Sequence, residues 1–159
     1  MHVFVVWIHV VAAVVWFGGV LFMVMVMVPA ARGVLDPPMR SRFMAQIGRR
    51  FRNVTWASAA ILIVTGILNI TMRVGGQDIQ DIRFFMRVLT VKFLLVVVIL
   101  AITALHDFVL APRLTPRPGE PPPDQAILRQ RMIRLSWLPR ISVVLGLVVM
   151  LLGLVLSRH

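Results

Sequence analysis

Cysteine and tyrosine are absent from the 159 residues, acidic side chains number 6, and a single lysine accompanies the arginines. Without cysteine there is no disulfide framework, no thiolate metal centre and no cysteine nucleophile, which removes zinc ribbons, iron–sulfur clusters and CxxC redox chemistry together. Charge is scarce as well: charged residues make up 14% of the chain and apolar ones 59%, where a soluble domain carries roughly 25% charged residues. Such a chain has too little polar surface to cover itself in water and reads as a membrane protein. The net charge of +11 could point to nucleic acid. The arginines, however, fall between long apolar runs, where a membrane protein keeps its cytoplasmic loops, so the basicity is topology and no nucleic-acid partner is expected.

A spanning helix needs about 20 mostly apolar residues. Residues 1–31 and 54–72 contain no charged side chain, 88–105 contain only Lys92, and 141–157 contain none. The pattern predicts one four-span domain over residues 1–159, with spans at about 3–30, 53–73, 84–111 and 139–157. The first run lacks a basic n-region and is too long for an h-region, so it is expected to stay as a helix and not to be cleaved as a signal peptide. Arg32, Arg40, Arg42, Arg49, Arg50 and Arg52 lie between the first two spans. Arg113, Arg117, Arg129, Arg131, Arg134 and Arg140 lie between the last two. The middle connection offsets Arg73, Arg83 and Arg87 with Asp78 and Asp81. The positive-inside rule then puts both long connections in the cytoplasm and both termini on the periplasmic or extracellular side of the plasma membrane.

Each long connection carries the pattern of an amphipathic helix lying at the membrane surface. Asp36-Pro37-Pro38 is a helix-start signal, after which Met39, Phe43, Met44, Ile47 and Phe51 recur at helical spacing among arginines. In the second long connection, a stiff Pro116–Pro123 stretch precedes Asp124, which can cap a helix carrying Ile127, Leu128, Met132 and Leu135. Pro139 is expected to kink that helix or separate it from the last span. The fold class is therefore all-α: an integral membrane four-helix bundle with interfacial helices in its cytoplasmic loops and anionic lipids as partners of its arginines.

Charged groups in hydrocarbon are costly and tend to face the bundle interior, so Lys92, His106 and Asp107 in the third span need partners. Lys92 and His106 are separated by about 21 Å of helix rise and share a face to within about 40°. His9, Trp16, Met23 and Met27 form a similar stripe on the first span, and Ser58, Thr65 and Asn69 one on the second. Alternating span directions predict an outer polar level of His9, Asn69 and Lys92, and an inner one of His106 and Asp107 with Arg113 and Arg140. Simpler roles compete at each position. Lys92 can snorkel to the interface, the methionines can pack or face lipid, and Asp107 can pair with Arg113. Ser142, Gly146, Gly153 and Ser157 suit close helix packing and permit a homodimer.

Trp7-x-His9, Trp16-Phe17-Gly18-Gly19, Arg50-Phe51, Thr65-Gly66 with Asn69, and Lys92-Phe93-Leu94 follow in order through the chain. The pattern resembles the superfamily that unites the CopD copper-resistance membrane domain with HemJ-type protoporphyrinogen oxidases. The His106-Asp107-Phe108 and Pro112-Arg113 segments look like those of its uncharacterised CopD-like members. For HemJ-type proteins the resemblance implies haem b, a first-span histidine and a third-span lysine, here His9 and Lys92. For the CopD branch it implies copper uptake. The chain departs from the HemJ pattern before the last span, with Ser136-Trp137-Leu138-Pro139 in place of Asn-Glu-x-Pro, which counts against oxidase activity.

The leading expectation from sequence is a haem-b protein serving redox or electron transfer. A histidine on a rigid helix facing an interhelical cavity is a common iron ligand. His9 is its first ligand, Lys92 a second ligand or propionate partner, and Trp16 and Asn69 line the site, with Arg113 a cofactor-binding candidate at the inner level. His106, with Met23 as a conceivable partner, would serve a second haem. The alternative is copper: imidazole and thioether suit Cu(I) in a chain without thiols, and Met23 and Met27 lie one helical turn apart. A third reading is a non-catalytic subunit that works beside another redox membrane protein.

Overall fold

The computed structural model describes residues 2–74, 82–110 and 125–158, and these residues are helical apart from the short turn at Leu35 and Asp36. In order they form α1 (His2–Phe22), a π-helical turn (Met23–Met27), α2 (Val28–Val34), α3 (Pro37–Val74), α4 (Ile82–Ala104), a second π-helical segment (Leu105–Leu110) and α5 (Gln125–Arg158). Four stretches are long and apolar enough to cross a membrane: His2–Val34, Pro37–Arg73, Ile82–Leu110 and Trp137–Leu156. The chain divides into two compact units, Met1–Ile82 and Arg83–His159. Arg113, the Pro116–Pro123 stretch and Asp124 lie outside the described residues.

Burial is inverted relative to a water-soluble protein. Thr55, Ser58, Thr65 and Ser142 are buried, while Phe4, Trp7, Phe93 and Phe108 are exposed. A chain whose solvent is hydrocarbon gains nothing by hiding apolar side chains. It gains by turning hydroxyls inward, where backbone carbonyls can receive them. Thr65 and Thr103 do this within their own helices, donating to the carbonyls of Ile61 and Ile99 at 2.6 and 2.8 Å; the exposed Thr90 donates to the Met86 carbonyl at 2.8 Å in the same way.

In the first unit α1 packs along α3, with α2 continuing the contact. The connection is a turn at Leu35 and Asp36 rather than a loop. Leu35 is extended (φ −104°, ψ 135°) and its N–H closes the preceding helix on the Ala31 carbonyl at 3.2 Å. Pro37 and Pro38 then start α3, where their missing N–H groups are not needed, and Arg40 N–H bonds the Asp36 carbonyl at 2.8 Å. From there α3 runs 38 residues without interruption. The stretch expected to form a separate surface helix is instead the first part of the same continuous helix as the second span. Residues 46–53 hold no proline to break it, so the helix carries through the change from arginines to apolar residues.

In the second unit α5 likewise continues through Pro139. The proline that was expected to kink the helix or separate it from the last span sits inside one continuous helix. The π segment after α4 approaches α5, and among the described residues Phe85, Ile99, Ser142 and Leu156 are the buried side chains of this unit.

Candidate metal-handling sites

α1 and α3 bring His9 against Thr65, with 2.7 Å between His9 Nδ1 and Thr65 Oγ1. The same hydroxyl lies 2.6 Å from the Ile61 carbonyl. A hydroxyl has one hydrogen to give. Both contacts are satisfied together only when Thr65 donates to Ile61 and accepts from His9 Nδ1–H. That fixes the tautomer and leaves the lone pair on Nε2, the arrangement found in metal-ligating histidines whose other nitrogen is held by a neighbour. The partner is Thr65, one helical turn from Asn69, the residue the sequence places level with His9. Asn69 Oδ1 is shielded from solvent without a hydrogen-bond partner in the protein, as are Trp16 Nε1 and Thr55 Oγ1. The face that α1 and α3 share is thus polar along much of its length.

Towards the turn, the two helices enclose a groove of about 410 Å³ lined by Val15, Gly19, Phe22, Met23, Met27, Ile47, Arg50, Phe51 and Val54. Met23 and Met27, read from sequence as soft ligands one turn apart, both border it. They stand at the two ends of the π turn, where Val28 N–H bonds the Met23 carbonyl five residues back. π turns are rare and recur at functional sites. Gly19 admits the opposite wall: a Cβ there would lie 2.8 Å from Phe51 Cε2. Arg50 and Phe51 were legible as a motif, but their place in the wall of a methionine groove was not.

In the second unit His106 Nδ1 lies 2.9 Å from Asp107 Oδ1. The pair sits in the π segment, and the partner expected for Asp107, Arg113, lies outside the described residues. Arg140, assigned by sequence to the same level, stacks over Trp137 with its guanidinium carbon 5.2 Å from the ring centroid. Lys92 crosses to α5, where a Cβ on Gly153 would be 3.0 Å from its Nζ. Part of the small-residue stripe therefore makes room for the lysine. Among the described residues no group of three or more His, Asp or Glu side chains could hold a metal ion, so soft sulfur and single imidazoles are the donors on offer.

The family model for Copper resistance protein D (CopD) matches residues 45–156. The match spans most of α3 together with α4 and α5, while α1 with His9 and the π turn with Met23 precede it. An uncharacterised protein of Aquifex aeolicus (strain VF5) is 36% identical over 69 residues, which cover 43% of this chain and 47% of that protein. The match thus spans about half the length of the curated relative. No solved structure matches. These findings support copper, the second of the sequence readings, and lend no support to haem b, iron or an oxidoreductase. Because the family model covers well over half of the sequence, the chain belongs to the copper resistance protein D family.

Proposed function

We propose that this protein binds monovalent copper within the membrane and passes it along the first unit, copper being cargo rather than a resident cofactor. The observation that carries the reading is the groove bordered by two thioethers, Met23 and Met27, in a chain of the CopD family that has no thiol. Thioether and imidazole are the soft and intermediate donors that Cu(I) accepts. His9 and Met23 are separated by about 21 Å of helix rise, so they are successive positions along the first span and not one coordination sphere. Arg50 borders the methionine groove and its charge opposes long residence of a cation there, which suits transfer better than storage. His106, held by Asp107, is a further single-ligand position. With the arginine-rich connections in the cytoplasm of a plasma-membrane protein, the direction is inward, from His9 towards the methionines.

The test is anaerobic titration of the purified protein with Cu(I) against a chromophoric chelator. Stoichiometric binding weakened at least tenfold in Met23→Leu/Met27→Leu supports the reading; unchanged affinity in that variant overturns it. The visible spectrum of protein from haem-supplied cells gives a second arm. No Soret band is expected, and a band lost in His9→Ala would transfer the site to haem.

A further inference from the structure

The two units repeat one plan. A shift of 83 residues lays Lys92–Leu110 on His9–Met27, and at each of these 19 positions exposed residues fall on exposed ones and sheltered residues on sheltered ones. A shift of 87 residues does the same for Trp137–Leu156 on Arg50–Asn69, again without exception. Two helices with one sheltered stripe each can be matched at some shift, because they share a period. These two shifts match more than the period. The first also lays the π segment ending at Leu110 on the one ending at Met27, His106 on Met23, and Pro112 on Pro29. The second lays buried Ser142 on buried Thr55 and Gly153 on Gly66. One contact then joins both: His9 lies against Gly66 as Lys92 lies against Gly153.

At the glycine the copies differ. A Cβ on Gly66 would lie 3.5 Å from His9 Cε1, the carbon between the two ring nitrogens, and a Cβ on Gly153 would lie 3.0 Å from Lys92 Nζ. The glycine keeps room at the Nε2 edge of the imidazole in the first copy, and the same room holds an amine in the second. α4 and α5 approach each other less closely than α1 and α3, as Leu95, Ile102 and Leu145 in place of Ala12, Gly19 and Ser58 require. A lysine stem spans that wider gap, and Leu152 in place of Thr65 removes the hydroxyl that orients the imidazole. From this correspondence we infer that the chain is a tandem copy of one copper-handling hairpin, and that Lys92 closes the second copy by setting a tethered cation where the first holds its metal at His9. The inference rests on the copper reading above. A protonated amine repels Cu(I) and has no lone pair to offer it. Copper therefore passes His9 and does not pass Lys92, and His106, the counterpart of Met23, has no open station before it in its own copy.

Anaerobic Cu(I) titration of the full-length protein in detergent reads both copies. Gly66→Ala, whose methyl meets the His9 ring at ordinary contact distance, should lose one bound equivalent at an unchanged unfolding midpoint, while Gly153→Ala should lose none. Equal stoichiometry in the two variants would overturn the proposal. Lys92→Met keeps the unbranched reach and replaces the amine by a thioether, so it should gain one equivalent, and adding Gly153→Ala should remove the gain. No gain in Lys92→Met, or a gain that survives Gly153→Ala, would overturn the closed station. The absence of cysteine permits a second arm without metal. A thiolate is favoured beside a lysine, so Gly153→Cys should react with methyl methanethiosulfonate at neutral pH at least fivefold faster than Gly66→Cys, and Lys92→Met should abolish the difference. Equal rates would overturn the proposal whatever copper does. The expected rates in a protein that binds no Cu(I) would overturn the copper reading and leave the correspondence of Lys92 with His9 in place.

Discussion

Each unit of the chain holds one histidine by Nδ1, and the partners differ in kind. In the first, His9 meets a threonine hydroxyl already committed to its own helix. In the second, His106 meets the carboxylate next to it in sequence. The hydroxyl selects the tautomer without adding charge, on two helices that contain no acidic residue at all. The carboxylate selects it and brings a negative charge. A cation passing His9 meets no carboxylate on these two helices, while one at His106 is also held by Coulomb attraction. The first arrangement suits a cargo that must leave again; the second suits retention.

Threonine and aspartate are where this comparison breaks most easily. Thr65→Val keeps the shape and removes the acceptor that His9 Nδ1–H uses between α1 and α3. Loss of such an acceptor costs about 1–3 kcal/mol, and loss of a ligand's supporting partner lowers metal affinity about 10–100-fold. Thr65→Ser should restore both. Asp107→Asn retains an acceptor for His106, so its stability should change by less than about 1 kcal/mol. Thermal unfolding in detergent and Cu(I) titration of the four proteins check the contrast. Equal losses in Thr65→Val and Asp107→Asn would remove the distinction between the two sites.

The glycines sharpen the same comparison at a smaller scale. Gly19 faces an aromatic ring across α1 and α3, whereas Gly153 faces the mobile end of Lys92. A methyl group on Gly19 must displace the Phe51 ring, a rigid plane that moves only as a whole. Overpacking of that kind costs about 1–3 kcal/mol. Because Phe51 also walls the methionine groove, Gly19→Ala should weaken copper binding in parallel. Gly153→Ala meets an amine that can swing on a four-carbon stem, so its cost should stay below about 1 kcal/mol. Unfolding midpoints that reverse this order would show that the lysine, and not the ring, is the rigid partner.

These contacts also mark how far the sequence can be read. The spans are legible because hydrocarbon forbids charge, and the interval from Arg52 to Arg73 or from Arg140 to Arg158 can be counted directly. His9, Trp16 and Met23 could be placed on one face because helical rotation is arithmetic. Thr65 could be placed on the facing stripe of α3, although choosing it over Asn69 as the partner of His9 needed the register set by Gly19 against Phe51. The π turns were not legible. One extra residue per turn leaves no compositional trace, and Met23–Met27 alternates methionine and valine as a strand would. The continuity of α3 was hidden for a different reason: a run of arginines after two prolines looks the same whether the helix bends onto the surface or continues straight.

The smallest effect lies at the entry to the last span. Arg140 stacks on Trp137 one turn earlier in the same helix, and both are exposed. A cation–π contact at such a site contributes about 0.5–1 kcal/mol. It secures a helical turn that contains Pro139, where the backbone lacks one of its own bonds. Arg140→Gln and Trp137→Leu should each lower the unfolding free energy of the protein by no more than that amount. The double variant should lose less than the sum, since the second substitution removes an interaction already gone. Strict additivity would mean that the ring and the guanidinium act separately. Helix continuity through the proline would then rest on the packing of α5 against the π segment and not on this pair.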